Sequence, residues 1–379
     1  MKKCVVVSDS FKGTLSSGEI CAIAQRVIPR HFPACEVVCI PVADGGEGTV
    51  DCFIRSMGAR RVEVTVTNAL GERSPAAYAR LGELAIIEMA AAAGLPQVGA
   101  RRCPGTATTY GVGELIAHAV GSGCKRILLG LGGSATNDGG CGCAAALGVD
   151  FFDADGRSFI PAGDTLGLIE RIDAGKAAAL LQGVELKIMC DVTNPLYGPT
   201  GAAYVFAPQK GADEEQVKSL DAGLRHFGDV IRSQLGRDVS AMPGAGAAGG
   251  MGAGCVALLG GTIQSGIDAV LDVTGFDRQL EGADLVITGE GRIDSQSAGG
   301  KVVSGVAKRT SAKGVPLIAI AGGIADSGSA VYDIGVSAMF GTDRAALPVD
   351  KLGARSSADY EATLNDIMSL IAIAESFGR

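Results

Sequence analysis

Carboxylates, cations and glycines recur together in this chain, each time just after a short apolar run. In residues 283–308 the run Leu285-Val286-Ile287 breaks into a polar, glycine-bearing loop that holds Glu290, Arg292, Asp294 and Lys301. From Lys301 a helical pattern takes over, with Val302, Val303, Val306 and Ala307 on one face. Ligands of α/β sheets sit in loops at the carboxyl ends of strands, and a loop that opens a helix offers free backbone N–H groups to anions. Two acids, two cations and the glycines among them suit a phosphate and metal site. Read as structure only, the same residues make a polar β–α connection.

Four more loops share this grammar, at residues 8–13, 43–48, 130–140 and 191–201. Glycine carries a backbone-entropy cost, so five such loops exceed what packing alone requires. Gly132, Gly133, Ser134 and Thr136 are spaced to form a nest of N–H groups and hydroxyls around a phosphate. None of the loops reads G-x-x-x-x-G-K-[ST], which excludes a Walker P-loop, and no G-x-G-x-x-G follows the first strand. A glycine-alanine run at 244–249 resembles that fingerprint but follows Met242-Pro243 rather than a strand. The histidines, His31, His118 and His226, lie outside the five loops and read as helix-surface residues. With no Gly-x-Ser-x-Gly elbow either, a Ser-His-Asp hydrolase is not supported. The remaining kit of Asp, Glu, Lys and Arg in glycine-rich loops suits phosphoryl transfer, where positioning and charge neutralisation carry most of the catalysis.

The elements that must position these loops alternate along the chain. Strand patterns at 3–7 and 37–41 and helical patterns at 20–28 and 49–57 give the β–α–β–α order of a parallel, doubly wound sheet. Ser16 or Ser17 is the expected N-cap of the first helix, with Glu19 in its first turn. Alternation through Val62, Val64 and Val66 marks antiparallel strands, and the parallel grammar returns from Asp284. The expectation is an α/β protein of two domains. A Rossmann-like domain takes residues 1–65 and 284–379, with an inserted α/β domain at 66–283.

Composition limits the function classes. A chain of 379 residues with 47% hydrophobic and 20% charged content is globular and long enough for two domains. Its net charge of -8 argues against nucleic-acid binding, which needs clustered Lys and Arg. Eleven cysteines without a Cys-x-x-Cys do not make a secreted disulfide framework. Cys141 and Cys143 flank one glycine but have no His or third Cys nearby for zinc. No stretch approaches a membrane span, and the start of the chain is too short in apolar residues for a signal peptide, so a reduced, cytoplasmic protein is expected.

The loops taken together resemble the type 1 glycerate kinase family of bacteria. The resemblance rests on SDSFKGTLS, PVADGGEGT, IEMAAAAGL, TTYGVGELI, GLGGSATNDGG, CDVTNPLYG with PQKGA, PGAGAAGGMGAG and ITGEGRID with GK, between Lys3 and Gly323. Ser297 stands where the family usually has Thr, and the segment after Asp343 is much less family-like. The resemblance implies ATP- and Mg²⁺-dependent phosphorylation of D-glycerate, mostly to 2-phosphoglycerate. It also implies a Rossmann-like domain plus an inserted α/β domain, with the active site in the cleft. On physical grounds Asp44 and Asp191 are the candidates for general base and Mg²⁺ ligand, in either order. Lys12 is expected to pair with the glycerate carboxylate and serve catalysis, with Arg292 as second choice and Ser10 beside it. Gly132, Gly133, Ser134, Thr136 and Lys301 are assigned to the ATP phosphates, and Glu290 and Asp294 to Mg²⁺. Asn137 and Asp138 read equally as turn residues. Expected partners are D-glycerate and ATP, with neither nucleic acid nor membrane, in a monomer or homodimer. Alternatives are a kinase on another small hydroxy acid, a product phosphorylated at O3, and a silent metabolite sensor; the last predicts a loop without its acid, and all five carry Asp or Glu.

Overall fold

The apolar runs become strands, which fall into three sheets. In chain order they are β1 (Lys3–Ser8), β2 (Glu36–Cys39), β3 (Arg60–Thr67), β4 (Arg73–Leu81), β5 (Leu84–Glu88), β6 (Arg126–Gly130), β7 (Asp150–Phe152), β8 (Ser158–Phe159), β9 (Arg171–Asp173), β10 (Glu185–Met189), β11 (Thr262–Gln264), β12 (Leu285–Ile293), β13 (Leu317–Ile324) and β14 (Ala338–Gly341). The computed structural model describes every residue except 12, 41, 43–48, 300, 346–352 and 378–379.

The chain divides into two compact units, residues 1–44 with 265–379, and residues 45–264. In the first, the sheet order is β14-β13-β12-β1-β2, with every pairing parallel. Cys4, Val5, Val6 and Val7 have no exposed surface, as expected of a parallel strand covered on both faces. The helix Ser17–His31 lays Ile20, Ile23, Ala24 and Val27 into the same core as Ile287, Ile320, Leu364 and Met368. Of the two cap candidates, Ser16 is the one used. Its hydroxyl accepts from the Glu19 N–H at 3.3 Å, and the Glu19 carboxylate accepts from the Ser16 N–H at 2.8 Å.

In the second unit the sheet order is β11-β10-β6-β5-β4-β3. The alternating segment folds as the antiparallel pair β3–β4, and β4–β5 is antiparallel too. β5, β6, β10 and β11 then run parallel, so Glu88, Gly130, Met189 and Gln264 end in one row. Every loop that leaves this row starts from the same edge of the sheet, where open α/β sheets bind ligands. A three-stranded antiparallel sheet, β8-β7-β9, completes the unit.

Two expectations shift. The units divide at 44/45 and 264/265, not at 65/66 and 283/284. The helix Thr49–Met57 belongs to the second unit because its Val50 N–H donates to the Glu88 carboxylate at 2.7 Å. The helix Gly266–Val273 belongs to the first because Asp268 and Asp272 pair with Arg309 of the helix Val302–Lys313, at 3.2 and 2.8 Å. The run at Leu285 also does not end before Glu290. It continues as β12 to Ile293, because β13 continues alongside it and pairs Glu290 with Ala321 and Arg292 with Gly323.

Candidate active site

In the second unit, β6 empties into the loop that carries most of the expected phosphate contacts. Gly132 and Gly133 are exposed, whereas Ser134, Thr136, Asn137 and Asp138 are buried. The loop is pinned along its length. Gly133 O accepts from Leu95 N at 2.9 Å, Ala135 N donates to Ala93 O at 2.9 Å, and Gly139 N donates to Gly249 O at 3.0 Å. Asp138 works inward, as the turn reading of this residue anticipates. Its Oδ2 accepts from the Thr109 N–H and hydroxyl, each at 2.8 Å, and from Gly142 N at 3.3 Å, while Oδ1 accepts from Gly140 N at 3.1 Å. Burial pushes this carboxyl up, and those donors pull it back toward the ionised form. Asn137 behaves differently. Both of its amide atoms, and the neighbouring Thr136 Oγ1, are shut from solvent with no hydrogen-bond partner. Buried polar groups are almost always paired, so these atoms await a ligand or ordered water.

Sequence reasoning missed two residues of this unit. Lys210 lies in the short 3-10 turn Pro208–Lys210, is only 2% exposed, and donates to Ser134 Oγ at 2.8 Å and Thr136 O at 2.7 Å. Burial pushes its ammonium down to about 7, against the opposing pull of Asp138. The signal was a lysine inside the quoted PQKGA motif, but its partners lie 74 and 76 residues away in sequence. Glu88, inside IEMAAAAGL, ends β5 and accepts from the N–H of Val50, the second residue of the helix Thr49–Met57. Asp191 follows the end of β10 by two residues and is exposed at the same sheet edge as the Gly132–Thr136 loop.

The first unit gathers a second set. Glu290 on β12 is 7% exposed, and its Oε1 is buried without a partner. Burial raises its carboxyl, the charges of Asp9 and Asp294 raise it further, and the Ser297 hydroxyl and Lys301 lower it. Asp294 caps the 3-10 turn Ser295–Ala298: its Oδ1 accepts from Gln296 N at 2.9 Å, and its own N–H donates to Ser297 Oγ at 3.1 Å. Lys301 is the N-cap residue of the helix Val302–Lys313, and its ammonium reaches Gln296 Oε1 at 3.4 Å. Ser10 donates its N–H to Asp9 Oδ1 at 2.7 Å. Arg292 is exposed on β12. Expectations for Lys12 and Asp44 fall outside the described residues.

An orphaned, buried carboxylate oxygen beside two further acids suits a hard cation, which takes oxygen ligands. Among the described residues there is no ready-made group of three or more His, Cys, Asp or Glu. Mg²⁺ does not require one, since it is commonly held by one or two carboxylates and substrate phosphates. The histidines are occupied with structure: His31 faces Asn365 Oδ1 at 2.9 Å, His118 the Tyr78 hydroxyl at 3.2 Å, and His226 the Ile169 carbonyl at 2.7 Å. Burial raises the thiols of Cys141 and Cys143 well above the usual range, which keeps them protonated and poor metal ligands. Among the described residues no helix is long and apolar enough to cross a membrane.

The chain is similar to known proteins over nearly its full length. Residues 4–372 match the glycerate kinase family. A glycerate kinase of Bacillus cereus is 45% identical over 375 residues, covering 98% of each chain. The glycerate 2-kinase of Escherichia coli is 43% identical over 341 residues, covering 89% of this chain and 90% of its own. A crystal structure of a protein assigned as glycerate kinase 2 from Salmonella typhimurium LT2 superposes with a TM-score of 0.87 at 39% identity, covering 99% of both chains.

Proposed function

This chain belongs to the glycerate kinase family, and we propose that it transfers the terminal phosphoryl group of ATP to D-glycerate, giving 2-phosphoglycerate and ADP. The observation that carries this reading is the likeness to a glycerate kinase at 45% identity over 375 residues, 98% of both chains. Attack from the 2-hydroxyl follows the name of the Escherichia coli relative, a glycerate 2-kinase.

Each residue then has a physical task. The hydroxyl proton passes to a carboxylate, Asp191 or Asp44. The glycerate oxygen bonds to the γ-phosphorus, the bond to the β–γ bridging oxygen breaks, and ADP leaves. Asp191 is supported as base by its exposed place at a sheet edge, beside the loop with unpaired polar atoms. In the second unit Gly132, Gly133, Ser134 and Thr136 would receive ATP phosphates, where Thr136 Oγ1 is buried without a partner. In the first unit Lys301, at the N-terminus of its helix, is a further candidate for binding phosphate. Glu290 and Asp294 would hold Mg²⁺, which supplies charge neutralisation when bound. Arg292, Lys12 and Ser10 would receive the glycerate carboxylate. The free cysteines among the described residues suit work in the cytoplasm. Steady-state assays of Asp191→Asn and Glu290→Gln with ATP, Mg²⁺ and D-glycerate test these roles. A fold loss of about 100 or more in kcat from each variant with an intact fold is expected, and wild-type kcat in either removes that residue from the mechanism.

A further inference from the structure

We propose that Lys210 is a positioning residue for the nucleotide phosphates, holding the Ser134–Asn137 segment in its binding-competent shape through bonds to Ser134 Oγ and Thr136 O. The proposal deepens the assignment of that loop to ATP and rests on it.

The turn that carries Lys210 is itself fixed. Lys210 N donates to Ala207 O at 3.0 Å, and the Arg102 guanidinium donates to Gln209 O at 2.9 Å. From this support the ammonium uses two of its three donors on the loop. The bond to Ser134 occupies an acceptor site on the hydroxyl, so its own proton is left to donate to an anion. The bond to Thr136 O ties down the backbone at the point where Thr136 Oγ1 and the Asn137 amide are held unpaired. A fully desolvated cation is costly to keep, and a methionine of similar length would fill the space with no such cost. Lys210 is therefore poorly explained as packing and well explained as a device that aims donors at a polyanion. On the loop's other flank Asp138 pins Thr109, Gly140 and Gly142, so the loop is held by a cation and an anion, each with its partners.

The test uses the full-length protein and the variants Lys210→Met, Ser134→Ala and their combination. Binding of ATP is followed by calorimetry, and steady-state kinetics are run against each substrate with the other saturating. Positioning predicts that Lys210→Met, with native circular dichroism, loses about 100-fold in kcat/KM for ATP while KM for glycerate moves less than about 3-fold. Ser134→Ala should weaken ATP binding in the wild type and cost much less in the Lys210→Met background, because the two act as one unit. If the loss falls on glycerate instead and ATP binding is unchanged, the loop's ligand is misassigned and the proposal for nucleotide phosphates is overturned, while the kinase reading stands. Unchanged kinetics with only a lower Tm also overturn it. Should Lys210→Met fail to fold, Ser134→Ala alone decides: unaltered ATP affinity refutes the proposal.

Discussion

Gly249 and Gly260 share a backbone dihedral, φ +69°, but differ in what a side chain would meet there. At Gly260 a Cβ would find nothing within 4 Å. At Gly249 it would lie 2.5 Å from the Cα of Asn137 and closer still to the Thr136 carbonyl oxygen. The alanine substitutions therefore carry the same backbone penalty, about 1–2 kcal/mol for an L-residue in the left-handed region. Ala248, already left-handed at φ 53°, shows that this penalty is tolerable here. Gly249→Ala adds the cost of pushing a backbone carbonyl aside, about 1–3 kcal/mol for an overpacked core, for a total of roughly 2–5 kcal/mol. Relief needs a shift of about 1 Å, enough to cost roughly 100-fold in rate at a site that depends on placement. The carbonyl to be moved is the one that accepts from Lys210, so the damage should reach ATP. Thermal melting and ATP kinetics on both variants measure this. Gly249→Ala is expected to lower Tm by roughly 5–15 °C and to raise KM for ATP, and Gly260→Ala to lower Tm by a few degrees with normal kinetics. Equal melting temperatures and equal KM values in the two variants would refute the steric account.

Other perturbations have equally defined outcomes. Asp138→Asn places an NH₂ group where the carboxylate faces N–H and O–H donors, and should cost about 2–4 kcal/mol in urea unfolding, since a buried donor is left unpaired. The Lys210 ammonium, held near 7 in the fold and at its ordinary high value when unfolded, binds fewer protons in the native state between those two limits. Stability owed to this group is thus lowest below the folded value and recovers as pH rises above about 7. Lys210→Met should therefore be most stabilising, relative to the wild type, at pH 6, and the gap in urea midpoints should narrow toward pH 9. Ser16→Ala removes a capping box and should cost about 1 kcal/mol with no change in kcat. Glu88→Ala leaves the Val50 N–H without its acceptor at the start of the helix after residues 43–48, and should raise KM for glycerate or ATP more than it lowers Tm.

The elements of the fold could be read wherever a period was clean. The buried run of β1, the helix Thr49–Met57 and the alternation of β3 all follow from residue types that allow only one pattern of burial. Unit boundaries were less accessible, because they depend on which partner a helix finds. Val50 N meets Glu88, and Asp268 meets Arg309, contacts with no local signature. The length of β12 was hidden in the same way, since Glu290 and Arg292 look like loop residues until β13 is laid beside them. Within the site, the sequence marked the loops but not their inward and outward faces. Asp138 and Asn137 are neighbours of similar size and polarity, yet one is saturated with backbone donors and the other has no partner at all. Lys210 was hidden because nothing in a Pro-Gln-Lys-Gly turn shows that its ammonium reaches back to Ser134.

Phosphorus NMR of the full-length protein with D-glycerate, ATP and Mg²⁺ tests the central claim most directly. A new monoester signal split into a doublet by a single carbon-bound proton, growing as ADP appears, is the result expected for transfer to the 2-hydroxyl. A triplet would place the phosphate on the CH₂ hydroxyl and contradict the regiochemistry, and ATP left unconsumed in the presence of D-glycerate would contradict the glycerate kinase reading itself.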